Sequence, residues 1–507
     1  MQPRMRYDDA AWEKSEEVAE SWVRQLIDPE VLSPVGEFLV QHHRPDDPEV
    51  FTVLPIGSFN VAFRMKYKNG SAIIRFPQPG AVMFPEEKVR NEVAVMRYIR
   101  ERTSIPIPLV LHWGTKTGFP LEFSPFIIMD YIEHDTCMYD VLNTPGCPKQ
   151  ERGILDPDIN EEKLEALYAE LAGVVLQLFR PSFPRIGSLA QIDDCTWDII
   201  YRPLSMPMND LVQLGSLPQS KLPQTTFETA SSYFEALAEL HIEHLINQRN
   251  DAIHSADDCR RKFVARYLFR RLARGHTLTK KSSDKGPFKL WCDDFRPGNT
   301  LMNNLKIAGV VDWEFTYAAP VEFSHAPPWW LLIEKPEYWP QGLDHWSTEY
   351  ERRLVTFLRA MRSREDEELK EAPVCVGKDQ RLSDFMRDSW ESGEFWIVYA
   401  ARNSFAFDAI FWQKIDQRFF GTTTSVVEDV WKERLDLLEP EEKEEMEKYV
   451  ALKLVELDTR VLAWDPDKYT LELLETRFVS NEEDESDRTE ADEIDDVVSD
   501  KLAELLV

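Results

Sequence analysis

Leu290-Trp291-Cys292-Asp293-Asp294-Phe295-Arg296-Pro297-Gly298-Asn299, with Val310-Val311-Asp312-Trp313-Glu314 shortly after it, is the stretch on which the reading of this 507-residue chain turns. An aspartate precedes an asparagine by five positions, and a further aspartate ends an apolar run one short hairpin downstream. Phosphoryl transfer needs that set: one carboxylate to orient and deprotonate a hydroxyl, and an amide plus a second carboxylate to hold magnesium against phosphates. Four residues separate Asp294 from Asn299, which makes Asp294 rather than Asp293 the candidate base. Asn299 and Asp312 are the candidate metal ligands.

The flanks support a catalytic loop over an ordinary turn. Asp, Arg, Pro, Gly and Asn are all turn residues, so a plain loop is the competing reading. Yet Phe288 to Trp291 before the loop and Thr300 to Met302 after it read as strands, and a loop held by rigid elements is where chemistry sits. Ile307 to Val311 reads as a strand that pairs back onto Leu301-Met302 through a turn at Asn303-Asn304, drawing Asp312 toward Asn299. Arg296, two residues past the base, is placed to offset charge on a phosphoryl group in flight.

Working outward, residues 9–42 carry apolar positions at helical spacing, Val18, Trp22, Leu26, Val31, Val35 and Phe38, and predict amphipathic helix. From residue 50 the period changes to two. Val61, Phe63, Met65 and Tyr67 alternate with Ala62, Arg64, Lys66 and Lys68, Asn69-Gly70 signals a tight hairpin, and Ala72 to Phe76 returns. Gly57, Ser58 and Asn60 sit in the turn between the first two strands. An unliganded hairpin turn is one reading, and a loop whose N–H groups cover phosphates is the other. Arg75 ends an otherwise apolar strand, either as an edge cation reaching water or as a phosphate-binding cation braced by Glu92 from the next helix, Glu86 to about Glu101. Strands are expected near 110–113 and 126–129, then mainly helix to 478. Prolines at 203–223 and 320–340 suggest long loops over the site.

Bulk properties bound the function. A hydrophobic fraction of 43% with 15 Trp and 28 Phe excludes global disorder. The net charge of −31 argues against nucleic acid or anionic membrane as partners. An acidic balance near the helical part suits a cationic acceptor and suits solubility equally. Trp313, Trp329 and Trp330 either line an acceptor pocket or, as is commoner, pack in the core. The block from Glu482 to Asp496 reads as a solvated acidic tail that can contact a basic partner. Six cysteines without a CxxC pair, no apolar signal core and no run of eighteen apolar residues point to a cytosolic protein.

At this point the chain resembles the aminoglycoside phosphotransferase-like kinases, a family that includes choline and homoserine kinases, over roughly residues 50–330. It is closest in pattern to diverged fungal members. Cys292-x-Asp294-x-x-x-x-Asn299 is similar to the family's HxDxxxxN loop, and Asp312-Trp313-Glu314 to its DxE element. The resemblance implies an α+β, two-lobed protein-kinase-like fold with ATP and magnesium in the cleft. It implies a hinge at Pro125–Ile132 that holds adenine near Asp130 and Ile132, and it sets Glu322 as an acid bracing the catalytic loop. Cys292 stands where histidine is usual and Arg75 where lysine is usual. The expected organisation is a helical extension over 1–48, a nucleotide-binding β lobe over 49–133, a helical lobe over 134–478 and an acidic tail over 479–507. The expected activity is transfer of a γ-phosphate to a small-molecule hydroxyl. An inactive nucleotide-binding scaffold is the alternative, and a protein kinase is disfavoured because no APE-ended activation segment follows Asp312.

Overall fold

A computed structural model describes residues 4–148, 151–371 and 381–481; the acidic stretch 482–496 and Cys375 lie outside the described residues. Strands β1 (Pro48–Val53), β2 (Asn60–Tyr67), β3 (Gly70–Pro77), β4 (Val110–Gly114) and β5 (Phe126–Asp130) form one antiparallel sheet in the order β1-β2-β3-β5-β4. The period-two alternation sorts its faces. Val61, Phe63, Met65 and Tyr67 from β2 join Ala72, Ile74 and Phe76 from β3 and Phe126 and Ile128 from β5 in one buried layer. Burying a side chain of this size contributes about 1.5–3 kcal/mol, so this layer decides the register. The β2–β3 connection turns on Lys68 and Asn69, because Tyr67 pairs with Gly70. Gly70 itself takes φ +117, which a side chain would strain.

Two helices, Asp9–Leu26 and Pro29–His42, cover that layer through Trp22, Val23, Leu26, Val35, Phe38 and Leu39. The sequence predicts one helix over 9–42; the chain breaks it at Ile27-Asp28. Asp28 accepts a hydrogen bond from the Glu30 N–H at 2.8 Å and Pro29 follows at the first helical position. A capping aspartate followed by proline starts a helix, and that start overrides the continuous apolar period.

The opposite face of the sheet carries Ile73, Arg75 and Met129 toward a cleft, with helix Pro85–Arg102 packed beside it. Below the cleft lies the larger, mainly helical lobe, including helices Glu161–Phe179, Ala230–Asn247, Ala256–Arg274 and Leu343–Glu371. Strand Lys289–Cys292 enters the Asp294 loop and strand Thr300–Asn303 leaves it, as the sequence predicts, but they belong to different sheets. The first pairs with Thr316–Ala319, and the second lies between Lys306–Val310 and Thr136–Cys137. The turn joining Thr300–Asn303 to Lys306–Val310 is centred on Asn304 and Leu305, both at positive φ.

Three expectations need correction. Strand Thr316–Ala319 interrupts the helix expected after Asp312, and a hairpin of Ser188–Gln191 with Trp197–Tyr201 interrupts the helical stretch before it. All three strands are short, and their pairing partners lie across a loop or in the next turn, beyond what a local period reveals. The proline-rich 203–223 is not all loop. Ser205 caps a helix, Met206–Gly215, and Pro207 in its first turn is tolerated because that N–H has no intrahelical partner. The same holds on a smaller scale for 320–340, where helix Val321–His325 follows Pro320.

Candidate active site

The two lobes enclose a cleft of roughly 930 Å³ whose walls include Gly57, Ser58, Asn60, Arg75, Glu92, Asp130, Ile132, Asp294, Arg296, Asn299 and Asp312. The candidate base, metal ligands and nucleotide-side residues read from sequence therefore all lie on one concave surface. The hydrogen-bonded geometry is more selective. Asn299 Nδ2 donates to the Asp294 carbonyl at 2.9 Å and to Asp294 Oδ2 at 2.8 Å, which leaves the Asn299 Oδ1 lone pairs for a cation. Arg296 Nε donates to Asp294 Oδ1 at 2.8 Å. Each Asp294 oxygen is thus oriented by one donor and keeps a lone pair for a substrate proton.

Asp312 is held next to this loop by the Val311 N–H, which donates to the Asn299 carbonyl at 3.0 Å. Asp312 adopts φ +58, an uncommon backbone state that aspartate tolerates better than most residues. Its side chain is 34% exposed and faces the cleft. Burial raises its carboxyl to about 6, against the pull of Arg75 and with Glu314, Glu92 and Asp294 pushing the same way. Such a crowd of carboxylates is relieved by a cation, and an amide oxygen beside a carboxylate is oxygen chemistry that magnesium accepts. The residues fit the ion. Among the described residues no group of three or more His, Cys, Asp or Glu converges as a self-contained metal site. Asn299 and Asp312 would therefore share the ion with phosphate oxygens and water.

Arg75 links both lobes. Its guanidinium donates to Glu92 Oε1 and, at 2.6 Å, to Asp312 Oδ1. Burial opposes its charge, but Glu92, Asp312 and Glu314 together hold the guanidinium protonated. A lysine could not grip two carboxylates in one plane, so arginine here is a geometric choice. Lys88, one turn before Glu92 on the same helix, forms a second buried contact with Glu314 and donates to Asn60 Oδ1 at 2.8 Å. Asn60 Nδ2 in turn donates to Glu314 Oε2 at 3.0 Å. The phosphate-side turn, the helix and the Asp312 loop are thereby stitched together. Sequence reasoning missed Lys88, although its four-residue spacing from Glu92 placed both on one helix face.

The loop is braced differently from expectation. Asp293, buried, accepts from Trp291 Nε1 at 2.8 Å, the Met206 N–H at 3.1 Å and Arg402 Nη2 at 2.6 Å. Three donors engage both of its oxygens, which separates its structural part from that of Asp294. Glu322 does not touch the loop; it accepts from Ser283 Oγ at 2.8 Å and the Lys280 N–H at 3.4 Å. The bracing charge comes instead from Arg402, which lies 109 residues from Asp293 and gives no local signal. The buried thiol of Cys292 is pushed well up by desolvation and packs 4.0 Å from the Asp312 carbonyl. It fills space rather than transferring protons. Of the three tryptophans weighed for an acceptor pocket, Trp313 and Trp330 are buried and Trp329 lines the cleft.

At the hinge, the Tyr131 N–H donates to the Ser71 carbonyl and the Asp130 N–H to the Leu109 carbonyl, both at 3.0 Å. Asp130 and Ile132 follow as the chain leaves β5 for the helical lobe. Helix Met206–Gly215 adds Asp210 to the cleft wall, a residue the sequence did not single out. Burial, with Asp293 and Asp294 nearby, raises its carboxyl to about 7 against the pull of Lys335.

A small antiparallel lobe over a helical lobe, with an aspartate–asparagine loop and a further aspartate at the junction, defines a two-lobed, kinase-like class of phosphotransferase fold. Residues 50–353 match the model of the phosphotransferase enzyme family, and the chain belongs to that family. Similar curated proteins are fungal. Altered inheritance of mitochondria protein 9 of Yarrowia lipolytica is 23% identical over 317 residues, 56% of this chain and 50% of that protein. A subtelomeric hrmA-associated cluster protein of Aspergillus fumigatus is 24% identical over 143 residues, 28% of this chain and 25% of that one. The chain thus spans about half the length of the first of these relatives, and less of the second. Among solved structures, a putative aminoglycoside phosphotransferase from Ralstonia eutropha is 12% identical, covering 83% of this chain and 98% of that one at TM-score 0.41. A thermostable aminoglycoside phosphotransferase mutant solved with AMP-PNP and hygromycin B is 15% identical, covering 76% and 99% at TM-score 0.39.

Proposed function

We propose that this protein transfers the γ-phosphate of ATP to a hydroxyl of a small molecule, with magnesium as cofactor. One observation carries the reading: Asp294, Asn299, Asp312 and Arg75 converge on the floor of a single cleft between the lobes. ATP enters with its adenine at Asp130–Ile132 and its phosphates under the Gly57-Ser58 turn. Asn299 and Asp312 would hold magnesium, which would neutralise negative charge on the nucleotide's phosphates. Arg75 contributes positive charge beside the same oxygens. Asp294 accepts the acceptor's proton as its oxygen bonds to the γ-phosphorus and the bond to the β–γ bridging oxygen breaks. Arg296, already fixed on Asp294, sits where it can balance charge on the transferred group. Positioning and fixed charge supply most of the acceleration.

The five cysteines among the described residues are all free, which supports a reducing compartment, the cytosol in this reading. No helix among the described residues is long and apolar enough to cross a membrane. With a net charge of −31, neither nucleic acid nor anionic lipid belongs among the proposed partners.

A second reading rests on the Arg75–Asp312 contact. Because Arg75 already occupies Asp312 Oδ1, a nucleotide-binding protein without turnover is the rival. Calorimetric titration with AMP-PNP, with and without magnesium, followed by ADP release against a panel of alcohols, separates the two. Magnesium-strengthened binding with turnover supports the enzyme. Magnesium-independent binding without turnover supports the scaffold, and no nucleotide binding overturns both.

A further inference from the structure

The cleft end away from the hinge is closed by a segment outside the family-matched residues. Residues 4–12 cross it, pinned by Asp8, which is 0% exposed. Asp8 accepts from the Ala11 N–H at 3.1 Å, Ser216 Oγ at 3.0 Å, and the Asn250 N–H and Nδ2 at 3.0 and 2.7 Å. The Met5 N–H donates to the Phe405 carbonyl at 3.1 Å. A segment held this way is a wall and not a loose terminus, so Tyr7 and Trp12 are fixed parts of the pocket.

That wall is aromatic and basic. Tyr7 OH lies 3.1 Å from Tyr338 OH, and the Arg152 guanidinium stacks 3.6 Å from the centre of the Tyr338 ring. Lys335 Nζ stands 5.5 Å from the Trp329 ring centre, and among the described residues no carboxylate lies within ion-pair distance of it. The acids nearby offset it only in part. Glu334 is buried and engaged by the Lys335 N–H at 2.8 Å and by Arg152 at 3.5 Å. Asp210 is held partly protonated near neutrality by burial and by Asp293 and Asp294, with Lys335 opposing. Lys335 thus shares this wall with Asp210 and Glu334, both of which feel its charge, but closes an ion pair with neither. An ammonium group here would meet Lys335 and Arg152 across a low-dielectric pocket, whereas a carboxylate or phosphate would find an unmatched cation.

We propose that the acceptor is an anionic ring alcohol, a hydroxylated aromatic or cyclic compound bearing a carboxylate or phosphate, with Lys335 and Arg152 holding the anion and Tyr7, Trp12, Trp329 and Tyr338 the ring. This rests on the phosphotransferase reading and adds the acceptor class to it.

The test is a matched series on one ring, with magnesium and AMP-PNP present: 4-(hydroxymethyl)benzoate, 4-(hydroxymethyl)phenyl phosphate, benzyl alcohol and 4-(aminomethyl)benzyl alcohol. Calorimetry measures binding, and ATP with mass spectrometry measures phosphorylation. At least one anionic member binds about tenfold or more tighter than the amine. The carboxylate and phosphate arms show which anion is preferred. Lys335→Met reduces the preference to about threefold or less, and Lys335→Glu inverts it, each with AMP-PNP affinity unchanged. If Lys335→Glu fails to fold, Lys335→Met alone decides. An amine bound as tightly as the anions, or no member bound at millimolar concentration while AMP-PNP binds, overturns this inference and leaves the phosphotransferase reading standing. Loss of AMP-PNP binding by the wild-type chain overturns that reading instead.

Discussion

Arg75→Met isolates the physics on which the site depends. In the native chain one guanidinium, 8% exposed, joins a Glu92 side chain that is 1% exposed and an Asp312 side chain that is 34% exposed. Removing the cation strands the Glu92 carboxylate in a dry environment where its Oε2 already lacks a hydrogen-bond partner. Breaking one side of such a buried pair costs about 3–5 kcal/mol, nearly all of it the charge left behind. Asp312 adds about 1 kcal/mol or less, because water reaches it. Urea denaturation of the nucleotide-free protein should show that loss with an unchanged slope, since the folded surface is the same. The double variant Arg75→Met/Glu92→Leu removes the stranded charge as well and should return to within about 1–2 kcal/mol of wild type. A single-variant loss below about 1 kcal/mol, or a double variant no better than the single, would refute the argument that the pair is dry and coupled.

Asp294→Asn should leave AMP-PNP affinity within about twofold and lower turnover by about 10²–10⁴-fold, the usual worth of a general base, so retained turnover would remove Asp294 from the mechanism. Arg402→Met should lower stability by about 3–5 kcal/mol by stranding buried Asp293, whereas Glu322→Gln, whose side chain bonds Ser283 rather than the loop, should leave nucleotide affinity unchanged; the reverse ranking would restore Glu322 as the brace. The imidazoles of buried His244 and half-buried His325 are held neutral, down from an ordinary 6.5 to about 3 and about 4, chiefly by desolvation. Because the unfolded chain takes up their protons first, stability is complete above pH 6.5 and falls as pH drops toward those values. Between pH 7 and 5 each contributes a loss of about 2 kcal/mol, and a flat denaturation free energy across that window would contradict this.

The amino-acid sequence alone carried the short-range physics. Alternation in Val61–Tyr67 sets the faces of the sheet, and the five-position step from Asp294 to Asn299 brings an amide back onto its carboxylate through one tight loop. The hairpin after Thr300 returns Asp312 beside them, since pairing across a short turn is a local event.

Tertiary structure decided everything whose partner lies far along the chain. The strand Thr316–Ala319 exists because Lys289–Cys292 needs an edge partner. Arg402 braces Asp293 from 109 positions away, and Asp8 draws residues 4–12 over one end of the cleft. Such contacts form when hydrophobic collapse brings separate elements together and buried charges must find partners. No periodicity or spacing records that pairing, because the free energy that selects it arises only after the chain has excluded water.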